Sequence, residues 1–392
     1  MSLDLDRSDW QRVKFGDVVD RVREQRSREN VERYVAGGHF DKDSIEVRRW
    51  GKPDDGGMGS TFTYGFQPGH TLFVSASWYL RKVAVATFSG VVADKTYVLA
   101  PINDQRLDPS YLPWVLLTND FYGYASTQST GSMNARLLWS VLAKYEFDLP
   151  PIDQQRRIAE LLWSLETALL TVKWNEQAVK AFSTAFADSQ LRQLSEKNGQ
   201  VPVIQMAQVS SGITLGPKRL TLTLKAPYLR VANVARGSIS LEEVKLVGVT
   251  EGEQASKALT RGDILVVEGH GSAHEVGRAA MWRGEDGMLF QNHLFRIRAN
   301  PECDGNYLEL ALNSSDARRY LRSVAKSTSG LNTINSTALS KTPIPRASLK
   351  EQETLTEKTI EIANAVQSVR EEALVLHETQ RCIIEKIIGG KP

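Results

Sequence analysis

The chain has 392 residues, 41% hydrophobic and 24% charged, with 48 basic against 46 acidic side chains and a net charge of +2. That length gives two or three domains with ample core, and the balanced total leaves nucleic acid to be decided by how charge is distributed. Two cysteines far apart, Cys303 and Cys382, exclude a disulfide framework and a cysteine-built zinc site; no apolar run reaches the ~20 residues of a membrane span, and "MSLDLDRSDW" lacks the apolar stretch of a secretory signal, so a cytoplasmic location is expected.

In chain order the elements occur twice. "RVKFGDVV" (12–19) is matched by "PVIQMAQV" (202–209), and "QPGHTLFVS" (67–75) by "TRGDILVVE" (260–268). "DPSYLPWVLL" (108–117) is matched by "DGNYLELAL" (304–312), and "STGSMN" (129–134) by "STSGLN" (327–332). "LPPIDQQ" (149–155) is matched by "IPRASLKEQ" (344–352). The offsets grow almost steadily along the chain, so the sequence is a duplication of about 195 residues. Each copy opens with a mixed, strand-rich part. "HTLFVSASW", "KVAVATFSGVVA", "DILVVEG" and "LFRIRA" are β-branched and aromatic with glycine turns between them.

A proline signal then leads into a long helical segment. In the first copy Ile158, Leu162, Leu165, Leu169, Val172, Val179, Phe182 and Phe186 keep a heptad rhythm with Glu176 as the polar slot, and "KNG" (197–199) supplies a stop. In the second copy the seam is Leu355, Thr359, Ile362, Val366, Val369, Ala373, Leu376, Gln380, Ile383 and Ile387, apolar at eight of ten positions. The regularity predicts that the two helices pair, forming an antiparallel rod of roughly 60–65 Å with a globular domain toward each end. The expected fold is α+β: two similar strand-rich domains, 1–150 and 199–346, separated by two long antiparallel paired helices, 151–198 and 347–392, in a pseudo-twofold internal repeat.

The stretch "VVEGHGSAHEVGRA" (266–279) carries the most chemistry. His270 and His274 lie four apart with Ser272 between them and glycines at 269, 271 and 277. A zinc protease needs H-E-x-x-H and a third ligand, and a serine hydrolase needs G-x-S-x-G. Neither is present, nor is a phosphate-binding glycine loop, and the glycines oppose a helix. No catalytic centre and no bound metal or cofactor is expected of this chain. What remains is a glycine-rich turn that permits close backbone approach to a partner.

Charge distribution narrows the partner. Ser210–Leu241 contains no acid but holds Lys218, Arg219, Lys225, Arg230 and Arg236. Gly56–Ala93 also lacks acids and places Arg81 and Lys82 beside Trp78 and Tyr79. "RRYLRSVAKSTSGLN" brings Arg318, Arg319, Arg322 and Lys326 into a Ser/Thr/Gly/Asn loop suited to phosphate. Basic patches repeated in both copies favour DNA or RNA over a solvated face.

At these residues the sequence resembles the specificity (S) subunit of type I restriction-modification enzymes. The resemblance rests on "FDLPPIDQQRRIAELL" (147–162), "YLRVANVARGSI" (228–239), "GDILVVEGHGSAHEVGRAAMW" (262–282), "FQNHLFRIR" (290–298) and "STSGLNTINSTALSKTPIP" (327–345). The first copy departs more, in "WGKPDDGGMGSTFTYGFQPG" and "GSMNARLLWSV", and Arg346-Ala347 replaces the second copy's usual proline pair. The resemblance implies a non-catalytic protein with two target-recognition domains, each reading one half of a bipartite, asymmetric site in double-stranded DNA. The paired helices would set the gap and dock two methyltransferase (M) subunits, which methylate adenine at N6. Restriction/translocase (R) subunits would join that core. S-adenosylmethionine, ATP and Mg would belong to those partners. A rod of ~60 Å spans roughly 18 base pairs.

The candidate DNA-facing residues are therefore His270, Ser272, His274, Gln291, Asn292 and His293, with Arg278 either reading guanine or pairing with Glu275. Lys218, Arg219, Lys326, Thr328, Ser329 and Asn332 follow in the second copy, the last four suited to phosphate. In the first copy the candidates are Trp78, Tyr79, Arg81, Lys82, Thr130 and Arg136. Three other readings stay open: a metal-dependent enzyme using the His270/His274 region, a coiled-coil adaptor without a nucleic-acid role, and a specificity subunit of another methyltransferase-based defence system.

Overall fold

The computed structural model describes residues 6–27, 31–41, 44–128, 135–328 and 330–389. It divides into two compact units, Met1–Asn175 with Val369–Pro392, and Glu176–Ser368. Each therefore takes its strand-rich part together with one half of each long helix.

The duplication is written into sheet topology. In the first unit Val19–Val22, Thr96–Pro101, Thr71–Val74 and Val83–Ala86 lie side by side, antiparallel throughout, and Glu46–Val47 adds in parallel at the last edge. In the second unit Ala207–Ser211, Leu294–Ala299, Ile264–Val267 and Ala279–Met281 repeat that order and direction. The central strands Thr71–Val74 and Ile264–Val267 are buried at every position, with apolar side chains at all but Thr71. A short antiparallel pair closes each strand-rich part against its helices: Gln11–Lys14 with Glu146–Leu149, and Gln200–Pro202 with Pro343–Pro345.

The copies part company in the second sheet. Both retain a parallel pair, Tyr34–Val35 with Gly90–Ala93 and Lys225–Leu229 with Leu289–Phe290. The third strand joins opposite members of that pair. Phe62–Phe66 adds beside Gly90–Ala93, whereas Lys245–Gly248 adds beside Lys225–Leu229.

The long helices run Ile152–Asn198 and Leu349–Ile383, the second continued by a wider turn over Ile384–Ile388. Gly199 ends the first in a left-handed conformation, φ +75°. Among the described residues no helix is long and apolar enough to cross a membrane.

Their pairing is seen inside each unit. In the first, Ile158 and Leu162 share a core with Ile383, Ile384, Ile387 and Ile388, and Leu165 packs against it. Glu166, only 5% exposed, accepts from the Gln380 amide at 3.1 Å and from the Ile45 N–H at 3.0 Å. In the second unit Leu191 and Leu355 share a core, and Lys197 donates to Glu351 at 2.8 Å. The early part of one helix thus meets the late part of the other, which is antiparallel pairing. Every second-copy seam position is buried or half-buried, including Ile362, Val366, Val369, Ala373 and Leu376. On the first helix Leu169, Val172 and Val179 keep the seam. Phe182 does not: it is 58% exposed, while the next residue, Ser183, is half-buried. The buried polar slot of the seam is Glu166, well before the expected Glu176, which is half-buried and pairs with Lys180.

Two further ties show that the repeat governs packing. Gln155 and Gln352 are one repeat apart, and both are buried completely or nearly so. Gln155 donates to the Arg106 and Pro150 carbonyls at 2.9 and 2.7 Å and accepts from the Asp108 N–H at 2.9 Å. Gln352 donates to the Glu302 and Ala347 carbonyls at 3.5 and 2.9 Å and accepts from the Asp304 N–H at 2.8 Å. The helix Asn119–Gln128 receives the Glu385 carboxylate at the Asn119 N–H, and the helix Ser315–Val324 receives Asp188 at the Ser315 N–H, each at about 3 Å. An anion at a helix N-terminus satisfies free N–H groups and complements the dipole. The donor helix is exchanged between units: the second long helix caps in the first unit, the first long helix in the second.

Candidate nucleic-acid interface

In each unit one loop and one returning segment meet beside the main sheet. In the second unit the loop joins Ile264–Val267 to Ala279–Met281. Its first residues, Gly269–His270, pair antiparallel with Leu331–Thr333, which pairs with Lys326–Thr328. His270 faces Asn332 in register, and Lys326 faces Thr333. Residues far apart in sequence are thereby collected on one small ribbon. Lys326 is exposed, while His270 and Asn332 are half-exposed. The Asn332 amide donates to the Gly271 carbonyl at 3.0 Å. Thr328 lies in the ribbon strand, and Ser329 falls outside the described residues.

Glycines set the loop's close contacts. A Cβ on Gly269 would meet Thr333 Cγ2 at 2.8 Å, and one on Gly277, whose φ is +74°, would meet Leu321 Cδ1 at 2.5 Å. Between them the histidines are held by their Nδ1 atoms. His270 Nδ1 accepts from the Ser272 N–H at 3.0 Å, and His274 Nδ1 accepts from Arg322 Nη1 at 2.9 Å. A guanidinium and an amide N–H can only donate, so each neutral ring carries its proton on Nε2. His293 is set the other way. Its Nδ1 stands 2.7 Å from a Glu268 carboxylate oxygen, which can only accept, so the neutral ring presents Nε2 as an acceptor. Gln291 and Asn292 continue this edge, their backbone bound to Leu229 and Ile213.

Arg278 resolves the choice left by the sequence. It pairs with Glu275 at 3.3 Å and donates to the Val231 carbonyl at 3.0 Å, with 13% of its side chain exposed. It braces the loop. Arg219 is also a brace. It is bidentate to Glu253 at 2.8 and 3.1 Å and donates to the Gly248 carbonyl at 3.0 Å and to the Thr214 carbonyl. The turn Pro217–Thr221 thus holds Lys218 exposed and Leu220 81% exposed.

These hydrogen bonds, first those from Arg219 and then that from the Thr250 N–H, bring the Glu253 carboxyl down to about 2. A carboxyl whose pKa falls on folding stabilises the fold above its ordinary range and ceases to as the pH drops through that range toward 2. Hydrogen exchange, corrected for intrinsic rate, should show the 214–222 turn losing protection between about pH 4.5 and 2.5. In Glu253→Gln the turn should be unprotected already at neutral pH; equal protection there would show the pair to be idle.

The first unit builds the equivalent place from the equivalent segments. Ala76 and Arg136 form an antiparallel bridge, and the Ser77 and Leu137 N–H groups bind the Ala135 and Ser75 carbonyls. Ser77 and Arg81 bracket the turn with φ of 53° and 52°, a left-handed conformation uncommon outside glycine. Trp78 is not available to a partner: it is 8% exposed and stacks on Tyr122. The Arg81 guanidinium covers the same Tyr122 ring at 4.2 Å and donates to Asn119 Oδ1 at 2.7 Å. Lys82 is bound to the Gly37 carbonyl, and Arg136 to the Asp94 carbonyl at 2.9 Å. What the turn offers to solvent is Tyr79, Leu80 and the exposed side of Arg81. Thr130 lies outside the described residues.

Arg236 belongs to the acid-free basic run but was not among the candidates; it donates to the His274 carbonyl at 3.2 Å and to Asn313 at 3.2 Å. The acid-free run around it was the only signal available. Among the described residues no group of three His, Cys, Asp or Glu is placed to hold a metal ion.

Comparison with known proteins agrees with this architecture. Residues 7–180 match the family model of the type I restriction modification DNA specificity domain. The chain is 24% identical over 220 residues to the type I restriction enzyme EcoKI specificity subunit of Escherichia coli (strain K12), a match covering 52% of this chain and 47% of that protein. The match thus spans about half the length of that relative. The fold of the whole chain is that of the type I specificity subunits. It superposes on a crystal structure of the type I restriction-modification system S subunit from M. genitalium with a TM-score of 0.55 at 11% identity, covering 100% of this chain and 99% of that one. A chain from a structure describing complex assembly and conformational transition of the type I R-M system gives a TM-score of 0.61 at 13% identity, covering 96% and 97%.

Proposed function

We propose that this chain is the DNA-reading subunit of a type I restriction-modification complex, without a catalytic centre of its own. Each strand-rich part reads one half of a bipartite, asymmetric site. The observation that carries this reading is the repeated surface: in both copies the same loop and the same returning segment meet beside the same sheet, in a chain whose residues 7–180 match the DNA specificity domain. Donors and acceptors from His270, His274 and His293 suit base edges in the major groove. Lys218 and Lys326 suit the phosphate backbone.

The long helices serve as the spacer and as the docking surface for two methyltransferase subunits, with restriction/translocase subunits joining that core in the cytoplasm. S-adenosylmethionine, ATP and Mg reside on those partners. Affinity purification of the tagged full-length chain should recover a methyltransferase, and the complex should bind duplex DNA with a steep salt dependence. Recovery of the chain alone would contradict the assignment, and recovery of a complex indifferent to DNA at low salt would contradict it and favour the adaptor.

A further inference from the structure

Behind His274 the second unit concentrates positive charge that the fold itself does not use up. Arg318 and Arg322 stand four apart on the helix Ser315–Val324, so they share a face, where like charges repel. Arg236 and Arg278 face them from other elements. The Arg236 guanidinium is pushed below its ordinary pKa by burial and then by Arg318, with Arg278 and Arg322 adding to the effect. The one carboxylate acting on it in the opposite sense is Glu275, already paired with Arg278. Four arginines thus gather where Glu275 is the one carboxylate acting on Arg236. Asp316, the acid of the same helix, is engaged elsewhere, by Arg319 at 3.0 Å and Arg192 at 3.4 Å.

Three of the four arginines also hold the 269–278 loop in place. Arg236 binds the His274 carbonyl, Arg322 the His274 ring and Arg278 Glu275. Arg318 has no such task. Its Nε is buried without a hydrogen-bond partner, and no side-chain bond ties its guanidinium to the described residues. A buried donor left unpaired is costly, and an excess of positive charge beside it costs more. The cost of the excess charge falls when an anion with several acceptor oxygens arrives at the guanidinium.

We propose that Arg318 and Arg322, backed by Arg236 and Arg278, form a seat for one phosphodiester group of duplex DNA. The inference rests on the DNA-reading function proposed above and divides the labour on that face. The seat fixes register without reading sequence, and the Nε2–H donors of His270 and His274 read base acceptors from the loop the same arginines hold.

The test measures the salt dependence of duplex binding by the full-length chain with its co-purifying partners, on its own recognition sequence and on an unrelated duplex. Arg318→Ala should weaken both about tenfold at low salt and lower the slope of log K against log salt by about one, leaving the preference between the duplexes intact. Arg318→Gln, which keeps the stem and loses the charge, should do the same. Arg319→Ala, one residue away and paired with Asp316, should change neither. An unchanged slope in both Arg318 variants, with wild-type binding intact, would overturn the seat alone. Saturable binding of inorganic phosphate together with that unchanged slope would mark a free-anion site instead. Absence of duplex binding by the unaltered complex would overturn the DNA-reading function, and the seat with it.

Discussion

Replacing Gln155 by leucine is expected to destabilise the first unit by roughly 2–4 kcal/mol. The side chain is completely buried, and its amide closes three hydrogen bonds to main-chain groups. Leucine fills much the same space but leaves the Asp108 N–H and the Arg106 and Pro150 carbonyls without a partner. Unpaired buried groups, rather than lost packing, set the size of the effect. Seven of the eight tryptophans lie in the first unit, so its unfolding can be followed by intrinsic fluorescence in denaturant. Gln352→Leu should act equally on the second unit, where Trp282 is the reporter. A midpoint shift worth less than about 0.5 kcal/mol for either variant would show that the glutamines do not fasten the helices to the strand-rich parts.

Replacing His270 and His274 by alanine is expected to relax recognition at one half-site only, each by about 1–3 kcal/mol of discrimination. The geometry predicts which base atoms are affected. Both rings offer an Nε2–H donor, so the lost preference should be for acceptors: guanine O6 or N7, adenine N7, or thymine O4. His293→Ala should relax preference for a donor, such as the cytosine or adenine amino group. Selection of bound duplexes from a randomised pool reads all of these at once. If both alanine variants keep the full preference at both half-sites, the 269–274 turn does not face DNA bases.

The duplication was legible because it rests on apolar periodicity and on turn residues, which are local signals. The aligned ends of "LPPIDQQ" and "IPRASLKEQ" already placed Gln155 opposite Gln352, and the two occupy equivalent sites. The seam of the second long helix was legible for the same reason, since a heptad is a pattern of spacing alone. The exposed Phe182 shows the limit of that reasoning. A heptad frame assigns the seam to the apolar residue, yet here the phenyl ring faces solvent and the small Ser183 beside it is the more buried of the two. The third strand of each small sheet joins a different neighbour in the two copies, and pairing across a sheet leaves no mark at fixed spacing.

At the candidate interface the chain segments were identified, but the state of each side chain was not. Arg219, Lys82 and Arg136 read as free cations in sequence, and Arg278 as either a guanine reader or the partner of Glu275. Each is tied to a carboxylate or a carbonyl that lies far away along the chain or sits on a turn whose shape only the fold defines. Trp78 looked available because it sits among basic residues, yet aromatic area is driven into the core by the hydrophobic effect. Arg318 differs from them: like Arg136 and Arg278 it carries a buried Nε without a partner, but no ion pair or side-chain hydrogen bond ties its guanidinium to the described residues.

A chain that directs a methyltransferase to a two-part DNA site must leave its mark on the methylation of the genome. The most direct measurement is a genome-wide map of N6-methyladenine in the source cells, with and without this gene. The account predicts that deletion abolishes methylation at one motif made of two short blocks separated by a fixed gap, and that the full-length gene restores it. An unchanged map, in cells whose partner methyltransferase is expressed, would contradict the account and return the chain to the adaptor reading.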